Sequence, residues 1–342
     1  RRSPCTRIEA VTRTAHLCCQ HPAARGAVLL VAAGLSAGAC TQTDVPESLP
    51  GPTSSTTATT VPPPATPAGC TPETVTASSR PAGPATAAVA PDSYMAEIRE
   101  RGRLRVGVDT STLQFSSVDP FTGDFIGFDV EIAKEVAAAL FGQATDETIE
   151  FVAIPKSERV GALLGDEPLD LVADTFTITC ARDAEIDFSS EYFTSHQRLL
   201  VRNDDPSTSI AQFAGRPVCA PAGSTSIDNM NALPDPPEAV GAASQGDCLV
   251  LLQQGRVDAI STDDTILAGM RVQDPTVRIV GEALSTEPYG LGLPPGRTEW
   301  ARYVNAVLED VRASGRWDEL YDAWFLDLLE VDAQPPNPVY ED

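Results

Sequence analysis

Between residues 92 and 332 the apolar positions follow two different periods in turn. Short apolar runs at 104–108, 149–153 and 170–173 predict buried strands. Between them, residues 128–140 predict an amphipathic helix with Val130, Ile132, Val136 and Leu140 on its apolar face, and residues 157–164 a second helix. A further set follows: strands at 217–220 and 258–260, with helices at 226–233 and 248–254. Trp300, Tyr303, Val304, Val307, Leu308 and Val311 then form a 3.6-residue stripe, predicting a closing helix. Strands alternating with helices predict an α/β fold built on mainly parallel sheets.

The N-terminal third breaks this pattern. Residues 26–39 are uncharged, apolar and small, follow Arg25 and end at Cys40. Fourteen residues fall short of the ~20 that span a bilayer, so the segment predicts an export signal rather than a membrane helix. The approach to Cys40 (LSAGAC at 35–40) resembles a bacterial lipobox, with Ala37 where leucine is usual. That resemblance implies that Cys40 becomes the acylated first residue, so that 1–40 is a signal with residues 1–24 an upstream extension. Residues 41–91 hold eleven Pro and twelve Thr with no aromatic residue, Ile or Met. Such a segment buries too little apolar surface to fold alone and predicts an extended tether.

Charge and composition narrow the function. The 342-residue chain carries a formal −24. Residues 1–40 contribute +4, which leaves −28 on the remainder and excludes binding to a phosphate backbone. His196 is the single histidine after residue 40, so a histidine metal centre or Ser-His-Asp triad is poorly supplied. The chain has neither GxxxxGK nor GxGxxG, and no cofactor is expected.

Five blocks carry a resemblance. They are GFDVEIAKEVA at 127–137; TFTITCAR at 175–182 with IDFS at 186–189; GSTS at 223–226; GRVDAISTDD at 255–264; and EPYGLG at 287–292 with WDELY at 317–321 and Trp324-Phe325. In this order they closely resemble the family 3 extracellular solute-binding proteins, the polar amino-acid receptors of bacterial ABC importers. The resemblance spans roughly residues 95–326. It implies a two-lobed periplasmic-binding-protein (type II) fold, with lobe 1 at 92–197 and 284–332, lobe 2 at 198–283, and a tail at 333–342. The hinge is expected in two crossing segments near 198–202 and 283–289.

The residues in these blocks suit a free amino acid on their own chemistry. Arg182 offers a planar fork for the α-carboxylate. Thr175 and Thr177 add hydroxyl and backbone groups, Ser224 and Thr225 precede a helix whose first amides favour an anion, and Asp263 can accept from the ammonium. The family assigns the same roles to these positions. For the ligand side chain it implies Lys156 and Arg159 as contacts to a distal carboxylate, Asp109 as acceptor for an amide, and Phe115 against the aliphatic part; a core position is the alternative for Phe115. Glutamate and aspartate are expected as ligands, with glutamine and asparagine alongside. Asp263 could equally cap the helix after it, and Ser224 and Thr225 form an ordinary N-terminal cap pattern.

Four cysteines follow Cys40, and three pairings are open. Cys219 and Cys248 both fall in the second lobe and are expected to pair, leaving Cys70 with Cys180. Hinge closure on the amino acid would present the protein, a lipid-anchored monomer on the outer face of the membrane, to an ABC permease or a membrane sensor. An enzymatic alternative, cyclohexadienyl dehydration, exists on this fold and requires a general acid in the cleft.

Overall fold

A computed structural model describes residues 70–71, 74–85, 89–329 and 333–341. The signal, Cys40 and the tether up to residue 69 lie outside the described residues.

Each lobe is built on one five-stranded mixed sheet. In lobe 1 the order is Ile149–Ala153, Leu104–Val108, Leu171–Val172, Gly292–Leu293, Asp187–Phe188. The first three strands are parallel and Gly292–Leu293 runs against its neighbours. In lobe 2 the order is Glu238–Ala242, Pro217–Pro221, Ala259–Asp263, Phe193–Arg202, Val277–Tyr289, again three parallel strands followed by two antiparallel ones. Parallel neighbours require crossover connections, and helices supply them. Helix Phe128–Phe141 buries Phe128, Val130, Ile132, Val136 and Leu140, and ends at Gly142 in the left-handed conformation. Helix Thr298–Ala313 buries the predicted stripe against lobe 1, where Trp300 Nε1 donates to Asp170 O at 2.8 Å.

The two lobes share two long strands. Phe193–Arg202 and Val277–Tyr289 pair antiparallel from Phe193↔Tyr289 to Gln197↔Ser285, and again beyond a bulge from Leu199↔Val280 to Arg202↔Val277. Their lobe 1 ends enter an aromatic cluster, where the Phe193 ring lies 5.1 Å from Phe115 and 5.2 Å from Phe325. From Gln197 onward the first strand already pairs with Asp263–Ala259 inside the lobe 2 sheet. The crossing therefore falls at 194–196 and 286–288. The hinge expected at 198–202 is corrected, because residues 199–201 are paired on both edges with lobe 2 strands.

Two other expectations change. The helix expected at 157–164 is a 3₁₀ turn, Lys156–Glu158, followed by a short helix, Gly161–Leu164. Arg159 Nε donates to Lys156 O at 2.9 Å and so occupies the carbonyl that a continuing helix would use. The tether expected to reach residue 91 stops well before it. Cys70 is bonded to Cys180, and Ala77–Ser79 pairs in parallel with Val339–Glu341 of the C-terminal tail. Asn305 Nδ2 donates to both Ser78 Oγ and Ser79 O at 2.8 Å, while Ser78 Oγ donates to Phe188 O at 2.7 Å. Contacts more than a hundred residues away in sequence thus order a segment whose own composition could not. The second disulfide joins Cys219 to Cys248 within lobe 2.

Candidate functional site

The expected site residues sit at the C-terminal ends of the parallel strands, where open α/β sheets place their ligands. In lobe 1, Asp109 follows Leu104–Val108, Lys156 and Arg159 follow Ile149–Ala153, and Thr175 and Thr177 follow Leu171–Val172. Arg182 lies on the short helical turn Cys180–Asp183. From lobe 2, Ser224 and Thr225 open helix Thr225–Asn231, and Asp263 ends Ala259–Asp263. Lys156, Arg159, Thr175, Thr177, Ser224, Thr225 and Asp263 line one cavity between the lobes, together with Ser226, Gln245, Thr262 and Ile266. The side chains leave about 10 Å³ between them, roughly room for one water.

Lys156 is buried and paired. Its Nζ lies 2.6 Å from Asp174 Oδ1, 2.8 Å from Thr175 Oγ1 and 3.6 Å from Asp109 Oδ2. Burial alone would raise Asp109, but Lys156, the Thr112 hydroxyl and the Ser111 and Thr110 amides hold it below the usual carboxylate range. Asp174 goes the other way, because complete burial outweighs Lys156 and Arg159. Thr175 adopts φ +40°, a left-handed conformation costly for a β-branched residue. Its amide donates to Asp129 Oδ2 at 2.7 Å while its hydroxyl accepts from Lys156, so both sides of the strained residue are clamped. Burial lifts Asp129 itself to about 7.

Two guanidiniums flank one ring. Arg159 Cζ lies 4.4 Å and Arg182 Cζ 4.9 Å from the centre of the buried Phe176 ring. Arg159 donates to the carbonyls of Lys156, Asp174 and Thr175. Arg182 donates to Thr177 O at 2.7 Å, and burial together with Arg159 pushes it down to about 9. Both also reach across to lobe 2, where Gly223 O accepts from Arg159 Nη2 at 3.2 Å and from Arg182 Nη2 at 3.1 Å. Gly223 has φ +76°, and a Cβ there would stand 2.6 Å from Ser157 Cα.

On the lobe 2 side the carboxylate of Asp263 accepts from Tyr289 Oη rather than capping the helix it precedes. Burial and the neighbouring Glu287 raise it to about 7. Ser224 Oγ donates to Pro221 O at 2.7 Å and makes no cap either. Thr225 Oγ1 donates to Glu287 Oε2 at 2.7 Å, and Glu287 also accepts from Asn229 Nδ2 and Ser285 Oγ.

Phe115 does not join the site. It is 1% exposed and packs edge-on against Phe128, Phe193 and Tyr289, so the expected ligand contact is corrected to a core position. The sequence reading passed over Asp174, Asp129, Gln245 and Glu287. Asp174 and Glu287 lie next to or inside the quoted blocks, and a lysine in an apolar setting signals a buried acid nearby. Asp129 also lies inside a quoted block, at 127–137, whereas Gln245 carries no comparable local signal.

Similar proteins fit this arrangement. The ABC transporter glutamine-binding protein GlnH of Bacillus subtilis is 31% identical over 231 residues, covering 67% of this chain and 84% of that protein. The glutamate-binding protein GluB of Corynebacterium glutamicum is 30% identical over 244 residues, covering 67% and 80%. Among solved structures, an ancestral amino acid-binding protein, AncCDT-1, described as a precursor of cyclohexadienyl dehydratase, superposes with a TM-score of 0.61 at 30% identity, covering 68% of this chain and all of that one. The family described as "Bacterial extracellular solute-binding proteins, family 3" matches residues 104–327. With that match over most of its length and the two-lobed architecture beneath it, the chain belongs to the bacterial extracellular solute-binding proteins of family 3.

Proposed function

We propose that this protein is the amino-acid receptor of an ABC importer, taking glutamate or aspartate and their amides into the cleft and handing the ligand to a membrane permease. The observation that carries the reading is a cation of one lobe and a carboxylate of the other around the same small cleft: Arg182 of lobe 1, bonded to Thr177 of the lining and to Gly223 of lobe 2, and Asp263 in the lining from lobe 2. A zwitterion satisfies both, with its carboxylate taking the Arg182 fork and its ammonium donating to Asp263. The names of the glutamine- and glutamate-binding relatives support the same ligand class. Ser224, Thr225, Thr175 and Thr177 complete the zwitterion's surroundings. At the far end Asp109, Lys156 and Arg159 meet the ligand side chain, and Thr175 shares Lys156 with them. A ligand touching both lobes is bound best when they are closed, and that difference in affinity drives closure. Acylated Cys40 would hold the protein at the membrane, where the same closed form could equally address a sensor.

Thermal unfolding against each common amino acid tests the proposal. A ligand at ~100 times its dissociation constant adds about 2.7 kcal/mol. An upward shift with Glu, Asp, Gln or Asn alone is expected. If an amide stabilises more than its acid, Asp109 dominates the side-chain contact; the reverse order assigns it to Lys156 and Arg159. No shift with any of the four defeats the reading, and turnover of prephenate would replace it with the dehydratase one.

A further inference from the structure

Arg182 stands two residues after Cys180 on a helical turn only four residues long. A helix that short has little stability of its own. Within the chain around it, Thr179 Oγ1 accepts from Arg182 N at 3.3 Å. Backbone bonds run from Asp183 N to Thr179 O at 2.9 Å and from Ile186 N to Arg182 O at 3.0 Å, and from outside the turn is tied by the disulfide to Cys70. Cys70 belongs to a segment that precedes the family-matched residues 104–327 and is seated on lobe 1 by the strand pairing with Val339–Glu341 and by Asn305. Val75 and Thr76 of the same segment wall a cavity of about 710 Å³ at the mouth of the cleft. Thr177, Thr179 and Cys180 line it from the Arg182 side, Thr225 and Glu287 from the other. The segment thus touches the ligand site both through a covalent bond and as a wall.

We propose that Cys70 is a positioning residue for the α-carboxylate subsite, its disulfide setting the turn from which Arg182 reaches the ligand. The proposal rests on the amino-acid-binding reading above. A guanidinium that must be ordered during binding charges that ordering to affinity, whereas one held beforehand does not. Bound to Cys180, the turn carries Arg182 already aimed across Thr177 O toward Gly223 of lobe 2. Released from it, the turn keeps its own short-range bonds, from Arg182 N and Asp183 N to Thr179 and from Ile186 N to Arg182 O, and loses its covalent tie.

The test compares the full chain with its C70S/C180S variant by calorimetric titration. The probes are L-glutamate, L-aspartate, L-glutamine and L-asparagine, each beside its own α-carboxamide, which lacks the charge that Arg182 meets. Loss of the bridge is expected to lower affinity for the carboxylate form by about tenfold or more while the carboxamide changes by less than about twofold. An unchanged ratio, whether both affinities fall together or neither moves, overturns the proposal. Should the variant not fold, the wild-type protein is reduced and alkylated in its native state and titrated in the same way. Cys219 and Cys248 are fully buried whereas Cys70 and Cys180 are partly exposed, so mild reagent reaches the lobe 1 bridge first, as mass spectrometry verifies. If the untreated protein binds none of the eight compounds, the amino-acid reading itself has failed. If it binds and the ratio holds, the positioning role alone has failed.

Discussion

Lys156 is one of two lysines in the chain, and its surroundings decide what it can offer a ligand. With Asp174 at 2.6 Å and Asp109 at 3.6 Å its charge is already shared, so it acts as one member of a cluster. The sequence held each member but not the cluster, because Asp174 and Lys156 are eighteen residues apart and meet only where the two strands that flank Leu104–Val108 end, one on each side of it. Arg182 was legible for the opposite reason, since its block carries the residue and its neighbours together. Arg182→Ala should cost about 2–5 kcal/mol of binding, the loss expected when a buried charge-assisted contact is cut, and calorimetry on the folded variant measures it. Unchanged affinity for every amino acid would remove Arg182 from the site. Asp263 adds a pH dependence. Its raised value of about 7 means that below neutrality a proton must leave before the ammonium can be accepted. Affinity should therefore rise with pH and level off above 7, weakening by about tenfold per unit below it. Asp263→Asn should flatten that slope; a pH-independent wild type would contradict the assignment.

Among the elements, those with strong periods appeared where the sequence put them, and helices Phe128–Phe141 and Thr298–Ala313 bury the faces expected. What failed were short pieces governed by a distant partner. The turn after Pro155 is set by Arg159 and by backbone carbonyls, which no apolar period records. The Ala77–Ser79 strand exists only because Val339–Glu341 and Asn305 receive it. Phe115 shows the same limit for a single position, since a phenylalanine in a site block reads alike whether it faces ligand or core. The loop bearing Gly223 brings lobe 2 against lobe 1, and its glycine is required twice, by φ +76° and by the 2.6 Å that a Cβ would leave to Ser157 Cα. Gly223→Ala should therefore weaken ligand binding by about tenfold or more while lobe 2 keeps its fold, because the added methyl stands between the lobes rather than inside either. Comparing binding with the unfolding midpoint separates the two; equal losses in both would mean that the loop, not the approach, was damaged.

At the scale of the whole molecule, family and fold could be read from block order, whereas the crossing point and the order of residues 74–85 could not. Hinge residues are ordinary strand residues, and only the register of both partners shows where one sheet hands over to the other. The −28 that follows residue 40 repels anions at a distance, so recognition of the acidic ligands proposed above would fall to the basic groups within the cleft. Cys40→Ala should shift the protein from the membrane to the soluble fraction on cell fractionation, and continued membrane retention would count against acylation there. The clasp between the segment after Cys70 and the C-terminal strand has a mechanical side as well. Both ends of the folded body leave from lobe 1, one through a covalent bond to Cys180 and the other through the strand beside it. A pull on either end would be carried by lobe 1 and would not run through the crossing strands. On the proposed anchoring and closure, lobe 1 would be the mounting and lobe 2 the moving jaw, and a neighbour fixed in the same plane would feel ligand arrival as a displacement of lobe 2.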